Sequence, residues 1–314
     1  MKKNFFLACG IALLIIGATA AITFSIAQNT ITGNDSTFMR SLNADVLTYP
    51  YLDQNIHDIE LPKTMDFCGE TVPLDRFYVR ESLEREIMVN SYRHSSTILL
   101  LKRTTRWFPV IEPIMKKNNL PEDFKYLAMI ESDLTNAVSP SKAVGFWQFL
   151  EGTGKQYNLE IYKEVDMRYH QEKETQAACE FLNYLHEKFG SWTLAAAAYN
   201  CGGGKVSRTM EEQHVSSYYD MLLPAETERY IYRILALKLM TQNPEKYGFH
   251  ISDEGWYQPL EYKTITVTET IEDLAQFAID KGTNLKMLKY YNPWLRSNTL
   301  TISKGNSYQI KLPK

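Results

Sequence analysis

The sequence predicts a mostly α-helical domain followed by a small β-α-α-β unit. Between residues 80 and 241, apolar side chains recur at helical spacing in successive segments that short polar turns separate. Residues 260–314 instead begin and end with short alternating runs, which are typical of β-strands. A chain of 314 residues is long enough for two folded units of this kind.

Composition narrows the classes of function that this chain can serve. Hydrophobic residues make up 44% and charged residues 23%, as in ordinary globular proteins. The formal net charge of -3 offers no broad basic surface, so we do not expect nucleic acid as a partner. The 6 histidines are scattered and the cysteine spacings do not suit zinc, so we expect no metal and no other cofactor.

The N-terminus has the pattern of an export segment. Two lysines precede an uncharged apolar run from Phe5 to Ala27, which is about long enough to cross a bilayer. Residues 1–27 are therefore predicted to be a signal peptide or an uncleaved anchor in a bacterial membrane. Lipid attachment at Cys9 is disfavoured because the apolar run continues past it. We expect a periplasmic location in the cell envelope, with or without a membrane anchor.

A linker and a helical domain are predicted to follow. Residues 28–65 are assigned to the linker, because their start is rich in polar side chains and keeps no regular period. Residues 66–250 are assigned to the helical domain. Its predicted helices cover residues 80–107, 108–115 with a start at Pro109, 121–131, 171–189, 193–200 and 227–241.

Glu131 is a carboxylate at a position where helical periodicity calls for a hydrophobic residue. Pro121 suits a first helical turn, and Phe124, Leu127, Ala128 and Glu131 then follow at i, i+3, i+4 and i+7 spacing. On an apolar face, desolvation would raise the pKa of this acid towards the range of a general acid. The alternative is that Glu131 lies at a fraying helix end and turns to solvent.

Four ordered motifs carry a family resemblance. They are Glu131-Ser132, Gly145-Phe146-Trp147-Gln148, Ala198-Tyr199-Asn200 and the tyrosine Tyr230. Together they resemble the motifs of lytic transglycosylases with a goose-type-lysozyme-like catalytic domain, in the membrane-bound D-type branch. The resemblance covers roughly residues 70 to 245, and it implies a lysozyme-like fold for the helical domain.

The resemblance implies a reaction and a set of site residues. The expected reaction cleaves the β-1,4 bond between MurNAc and GlcNAc in peptidoglycan glycan strands and forms 1,6-anhydro-MurNAc. Glu131 would act as the general acid and then as the base. The residues expected to bind substrate are Ser132, Gln148, Tyr199, Asn200 and Tyr230. Ser132 could instead bond its own helix backbone, and Tyr230 could be a buried core aromatic.

A second carboxylate would favour a hydrolytic reaction instead. Asp133 is turned roughly 200° from Glu131 on a continuing helix and is a poor partner. Glu151, Glu226 and Glu228 could reach the cleft only if the fold brings them there. The alternative functions are thus a hydrolytic lysozyme or chitinase, or a non-catalytic scaffold that binds peptidoglycan.

The cysteines give a further alternative. Three cysteines lie outside the export segment, Cys68, Cys179 and Cys201, so at most one disulfide could form among them. Cys201 with His186 or His214 could be a thiol nucleophile and its base. A small side chain beside a glycine turn is the favoured interpretation of Cys201.

The C-terminal unit, residues 260–314, resembles the LysM peptidoglycan-binding module. Its predicted strands are residues 265–267 and 308–312, and its predicted helices are residues 270–280 and 285–290. Asn292-Pro293 matches the turn after the second helix of that module. Thr268-Glu269 departs from the usual Gly-Asp, which leaves glycan binding by this copy open. We expect the protein to act as a monomer.

Overall fold

The computed structural model of the protein describes residues 58–314, which pack together as one unit. The predicted export segment, residues 1–27, and most of the predicted linker lie outside the described residues. Within residues 58–314, no helix is both long and apolar enough to cross a membrane.

Helices dominate the chain up to residue 250, as the sequence predicts. A short antiparallel hairpin of β1 (Asp66–Phe67) and β2 (Glu70–Thr71) comes first. The helices are α1 (Phe77–Tyr92), α2 (His94–Lys117), α3 (Lys125–Ser132), α4 (Glu151–Gln156), α5 (Gln171–Phe189), α6 (Trp192–Cys201), α7 (Gly203–Gln213), α8 (Ala225–Glu228) and α9 (Tyr230–Gln242). Helix α6 packs against α5, α7 and α9, and its buried alanines, residues 195–198, let the neighbouring backbones approach closely.

Several predicted helix boundaries are wrong. The helix predicted over residues 80–107 is divided at Arg93, which separates α1 from α2. Helix α2 continues through Pro109 and Pro113, because both prolines are on its solvent face and the carbonyls left unpaired can bond water. Gly202, whose φ is 88°, ends α6 as expected. A new helix, α7, begins immediately afterwards at Gly203 and was not predicted.

The C-terminal unit has the predicted β-α-α-β order. It consists of β3 (Tyr262–Val267), α10 (Leu274–Asp280), α11 (Leu285–Tyr291) and β4 (Tyr308–Pro313). Strands β3 and β4 pair antiparallel along their whole length. Helix α10 begins later than predicted because the Asp273 carboxylate caps it by accepting from the backbone N–H of Ala275 and Gln276. The buried Asn292 side chain joins α11 to β4 by bonding both backbone groups of Lys311.

Candidate active site

Glu131 lies in the last turn of α3, beside a cleft. Helix α3 packs against α2 and α9, and its other side chains, from Lys125 to Ser132, are buried. The helix ends at Asp133, whose backbone is left-handed with a φ of 53°. Glu131 keeps partial exposure at this end and lines the cleft rather than extending from the surface.

Two side chains of α9 approach Glu131. The hydroxyl of Tyr230, a buried residue, donates a hydrogen bond to Oε1 of the Glu131 carboxyl. Arg233 lies one turn further along α9 and donates to the Ile130 carbonyl at 2.9 Å. Its guanidinium also brings positive charge to Glu131. The Glu131 carboxyl thus accepts a hydrogen bond from a hydroxyl and has a cation nearby.

The pKa of the Glu131 carboxyl is raised above its ordinary value. Burial is the largest cause, because it disfavours the charged form. The Tyr230 hydrogen bond and the Arg233 charge oppose this rise, and the nearby Glu226 adds to it. Such a carboxyl keeps its proton to higher pH, and it has two groups that stabilise the carboxylate once the proton has left.

The cleft has a volume of about 230 Å³ and is open to solvent. Its walls include the rings of Phe149 and Phe181. The polar lining residues are Glu131, Ser139, Ser141, Gln148, Thr153, Tyr199, Asn200 and Glu226. Hydroxyl and amide groups beside aromatic rings suit a ligand that carries both polar groups and apolar C–H faces, as a sugar does.

Residues 145–148, the cleft loop, have a backbone that only certain residues accept. Gly145 has a φ of 88°, and an added Cβ would lie 2.0 Å from the carbonyl oxygen of Arg168. Gln148 is also left-handed, and its Nε2 donates to the carbonyls of Ala137 and Gly145 at 3.2 and 2.8 Å. Both amide hydrogens are used in this way, so Oε1 is the part of the Gln148 amide that can meet a ligand.

Ser132 and Tyr199 form hydrogen bonds to the backbone of the cleft loop. Ser132 is buried, does not line the cleft, and donates to the Phe146 carbonyl at 2.9 Å, with the Ala128 carbonyl 3.3 Å away. The Tyr199 hydroxyl donates to the Trp147 carbonyl at 2.6 Å. Both hydroxyls are therefore engaged with the protein backbone.

Asn200 lies at the end of α6 and lines the cleft next to Glu226. Its Oδ1 accepts a hydrogen bond of 2.7 Å from the Thr227 hydroxyl, which joins α6 to α8. The Nδ2 group is therefore the part of Asn200 that remains for a ligand. The structure thus brings Glu131, Gln148, Tyr199 and Asn200 to one cleft and places Tyr230 behind the acid.

One of the possible second carboxylates also lines the cleft. This residue is Glu226, on the short helix α8. Asp133 and Glu228 are exposed and do not line the cleft. Glu151 forms an ion pair with Lys155 at 2.6 Å on the exposed surface of α4.

Two residues near the site, Arg233 and Glu174, were not predicted from the sequence. Glu174 is fully buried on α5, and its carboxylate accepts from the Trp147 backbone N–H at 3.2 Å. Burial raises the pKa of Glu174 well above its ordinary value. Hydrogen bonds from backbone N–H groups of the cleft loop oppose this rise but are outweighed by it. A signal was present for both residues. Arg233 is three residues after Tyr230 on one helix, and Glu174 interrupts the buried face of α5.

The described cysteines do not support thiol chemistry. Cys68, Cys179 and Cys201 are all free, so none of them forms a disulfide. Burial raises the pKa of the Cys201 thiol, which disfavours the nucleophilic thiolate. His186, one of its suggested bases, stacks on the ring of Trp192. In the part of the chain that the structure describes, no group of three His, Cys, Asp or Glu residues could hold a metal ion.

Comparisons with known proteins identify the two units. Residues 108–221 match the model of the transglycosylase SLT domain, and residues 263–314 match that of the soluble lytic transglycosylase C-terminal LysM-like domain. Membrane-bound lytic murein transglycosylase D from Escherichia coli K12, and its counterpart from Escherichia coli O6:H1, are each 28% identical over 242 residues. These matches cover 75% of this chain and 52% of each relative.

The chain therefore spans about half the length of the curated relatives it matches. A solved structure of an inactive mutant of lytic transglycosylase Slt from Pseudomonas aeruginosa is similar with a TM-score of 0.39 and 16% identity, covering 57% of this chain and 35% of that chain. The resemblance seen in the motifs is confirmed by the family models: the chain carries a transglycosylase SLT domain followed by a C-terminal LysM-like domain.

Proposed function

We propose that the protein is a peptidoglycan lytic transglycosylase that cleaves the β-1,4 bond between MurNAc and GlcNAc and forms 1,6-anhydro-MurNAc. One observation carries this proposal. Within the residues that match the SLT domain, the Glu131 carboxyl faces a cleft lined by hydroxyl, amide and aromatic groups, has a raised pKa and accepts a hydrogen bond from Tyr230.

The proposed reaction uses Glu131 twice. The protonated carboxyl donates its proton to the glycosidic oxygen, and the bond from that oxygen to C1 of MurNAc breaks. The carboxylate then takes the proton of the C6 hydroxyl while O6 bonds to C1, so no water is consumed. Between the two steps, the Tyr230 hydroxyl and the Arg233 guanidinium stabilise the carboxylate.

The remaining site residues are proposed to divide into two groups. The free amide groups of Gln148 and Asn200 would contact the sugar or its N-acetyl group. Ser132 and Tyr199 would act through the cleft loop, because their hydroxyls are bonded to its carbonyls. This assignment differs from direct substrate binding by Ser132, which the sequence motif alone suggests.

The wider setting of the enzyme is also a proposal. Its partners would be peptidoglycan glycan strands, bound by the SLT domain over residues 66–250 and aided by the LysM-like domain over residues 260–314. The names of the Escherichia coli relatives support a place in the cell envelope. Residues 1–27 would provide export or a membrane anchor, and the protein would work as a monomer.

The test is Glu131→Gln, assayed on purified peptidoglycan with mass spectrometry of the released fragments. We expect the variant to release no anhydromuropeptides while it keeps the circular dichroism spectrum and melting temperature of the wild type. The matched control is Glu151→Gln, an exposed acid on α4 whose side chain is paired with Lys155. Unchanged release by Glu131→Gln would contradict the proposal.

Hydrolysis is the second candidate, because Glu226 lines the same cleft as Glu131. A carboxylate there could activate a water for attack on C1, as in inverting glycosidases. The products would then be heavier by one water than anhydro sugars, which mass spectrometry resolves. Wild-type protein that pellets with peptidoglycan but releases nothing would instead indicate a non-catalytic scaffold.

A further inference from the structure

The LysM-like domain packs mainly against residues 160–172 of the SLT domain, here called the docking segment. Arg106 on α2 also donates to the Tyr290 hydroxyl at 3.2 Å. Two backbone hydrogen bonds join the docking segment to the LysM-like domain. The Asp166 N–H donates to the Trp294 carbonyl at 3.0 Å, and the Arg296 N–H donates to the Glu164 carbonyl at 2.8 Å. The two parts are therefore joined through backbone as well as through side chains.

Aromatic contacts reinforce this junction. The Trp294 side chain is only 2% exposed, and its ring stacks on His170 with centroids 6.2 Å apart. The Arg296 guanidinium lies 4.0 Å from the centroid of the Tyr169 ring, within the range of a cation–π contact. A tryptophan this deeply buried at a junction is typical of a fixed contact rather than an occasional one.

Three carboxylates of the docking segment also bind the LysM-like domain. Glu160 accepts a hydrogen bond from the Tyr308 hydroxyl at 2.6 Å. Glu164 accepts hydrogen bonds from the Thr299 hydroxyl at 3.1 Å and the Thr301 backbone N–H at 2.7 Å. Glu172 forms an ion pair with Lys311. Burial alone would raise the pKa of Glu172, but its cationic and hydrogen-bonding neighbours lower it to about 2. Undocking would remove the Thr299 and Thr301 bonds from Glu164 and the Lys311 ion pair from Glu172, which would keep only His170 as a neighbour, 3.1 Å away.

The same segment supports the residues around the cleft loop. The Arg168 side chain is buried and donates two hydrogen bonds to the Asp166 carboxylate, at 3.0 and 2.7 Å. It donates to the carbonyls of Lys142 and Phe149, which lie on either side of the cleft loop, at 3.2 and 3.1 Å. Its own carbonyl packs against Gly145 so closely that no Cβ would fit.

Glu174 continues this support two residues after the docking segment ends. Its Oε2 accepts from the Trp147 N–H and lies beside Gly145, 2.3 Å from where an added Cβ would be. Its Oε1 is buried and has no hydrogen-bond partner among the described residues. The buried carboxyl therefore serves the cleft loop and does not reach the cleft itself.

We propose that the docked LysM-like domain is part of the catalytic framework. By fixing the docking segment it holds the cleft loop, and with it Gln148, in the geometry used for the reaction, and Arg168 and Glu174 are positioning residues. The inference rests on the proposed function for its kinetic consequence. A domain that only tethers the enzyme to the wall would change wall binding but not turnover of a short soluble strand.

The test weakens docking without changing the cleft or the core of the LysM-like domain. The double variant Glu164→Ala/Arg296→Ala removes the Glu164 bonds to Thr299 and Thr301 and the cation–π contact of Arg296 with Tyr169. The matched control is Lys281→Ala, which removes a cation 5.5 Å from the Phe277 ring inside the LysM-like domain, away from the junction. The single variant Arg296→Ala should give a smaller change in the same direction.

Three measurements on the full chain decide the outcome: kcat and KM on soluble peptide-free glycan strands, pelleting with insoluble peptidoglycan, and amide hydrogen exchange of residues 144–149. We expect the double variant to lose on the order of tenfold in kcat on soluble strands, because misplaced groups slow a reaction without preventing binding. KM should stay within about twofold, exchange in the cleft loop should accelerate, and Lys281→Ala should match the wild type.

Wild-type kcat and wild-type exchange in the double variant would overturn the inference, whatever happens to pelleting. If the wild type itself released no product, the proposed function would fail. Hydrogen exchange would still decide whether docking controls the cleft loop, since that measurement needs no activity. A double variant that melts before the assay temperature is replaced by Arg296→Ala, which keeps both backbone bonds and the Glu164 contacts.

Discussion

Tyr230→Phe tests the central contact of the site, because it removes one hydroxyl and keeps the buried ring. The Tyr230 hydroxyl donates to the Glu131 carboxyl and stabilises its charged form. A hydrogen bond to a charged group contributes about 1.5–3 kcal/mol. Its loss should therefore raise the pKa of Glu131 further above the ordinary value.

The direction of this pKa change follows because the hydrogen bond stabilises the charged carboxylate. Without the hydroxyl, the protonated acid persists to higher pH, so the alkaline limb of the pH–rate profile should move to higher pH. The carboxylate formed after the first proton transfer is also less stable, and kcat near neutral pH should fall by about tenfold or more. The assay is the initial rate of anhydromuropeptide release across a pH series.

Tyr232→Phe is the matched control, because Tyr232 is buried on the same helix and its hydroxyl does not bond Glu131. It should leave the position of the alkaline limb unchanged. If Tyr230→Phe lowers the rate but its alkaline limb stays at the wild-type pH, the hydroxyl does not act through the acid. That result would refute the proposed effect of the Tyr230 hydroxyl on the pKa of Glu131.

Further predictions concern stability. Gly145→Ala places a Cβ 2.0 Å from the Arg168 carbonyl at a left-handed position, so it should lower the free energy of unfolding by several kcal/mol. The control Gly152→Ala has open space on α4 and should raise the free energy of unfolding by about 0.5–1 kcal/mol. Equal melting temperatures for the two variants would contradict this prediction. The folded pKa of Glu172, about 2, is below its ordinary value of 4.5, so its stabilising charge is fully present above pH 4.5 and is lost as the pH falls towards 2. Lys311→Met should raise that folded pKa, lower stability at neutral pH and move the acid-unfolding midpoint to higher pH, and an unchanged midpoint in circular dichroism would argue against the ion pair.

Local rules predicted most of the helices, and they failed where a residue's effect depends on its surroundings. Pro109 looks like a helix start because proline lacks a backbone donor. The structure places it on a solvent face, where water can bond the carbonyl that the proline leaves unpaired, and α2 continues. Gly202 correctly predicted the end of α6. The start of α7 at Gly203 depends on packing of its buried Val206 against the rest of the domain, which no short window of sequence contains.

The candidate site was predictable to different depths. Periodicity located Glu131 because its signal lies within a single helix. The bond from Tyr230 joins positions 99 residues apart, and only the family resemblance drew attention to that tyrosine. The support of the cleft loop by Arg168 was not predictable from local patterns, because a buried arginine after a polar turn has the sequence signature of an exposed one.

Glu174 shows that an acid in the apolar stripe of a helix need not be catalytic. Like Glu131, it interrupts the buried face of a helix, and burial raises the pKa of both carboxyls. Periodicity therefore identifies desolvated acids without separating a catalyst from a structural group. The difference lies in what each carboxyl meets: Glu131 ends its helix at an open cleft, whereas Glu174 is enclosed and accepts backbone N–H groups of the cleft loop. An acid can transfer a proton to a substrate only if the substrate can reach it, so access decides between the two roles.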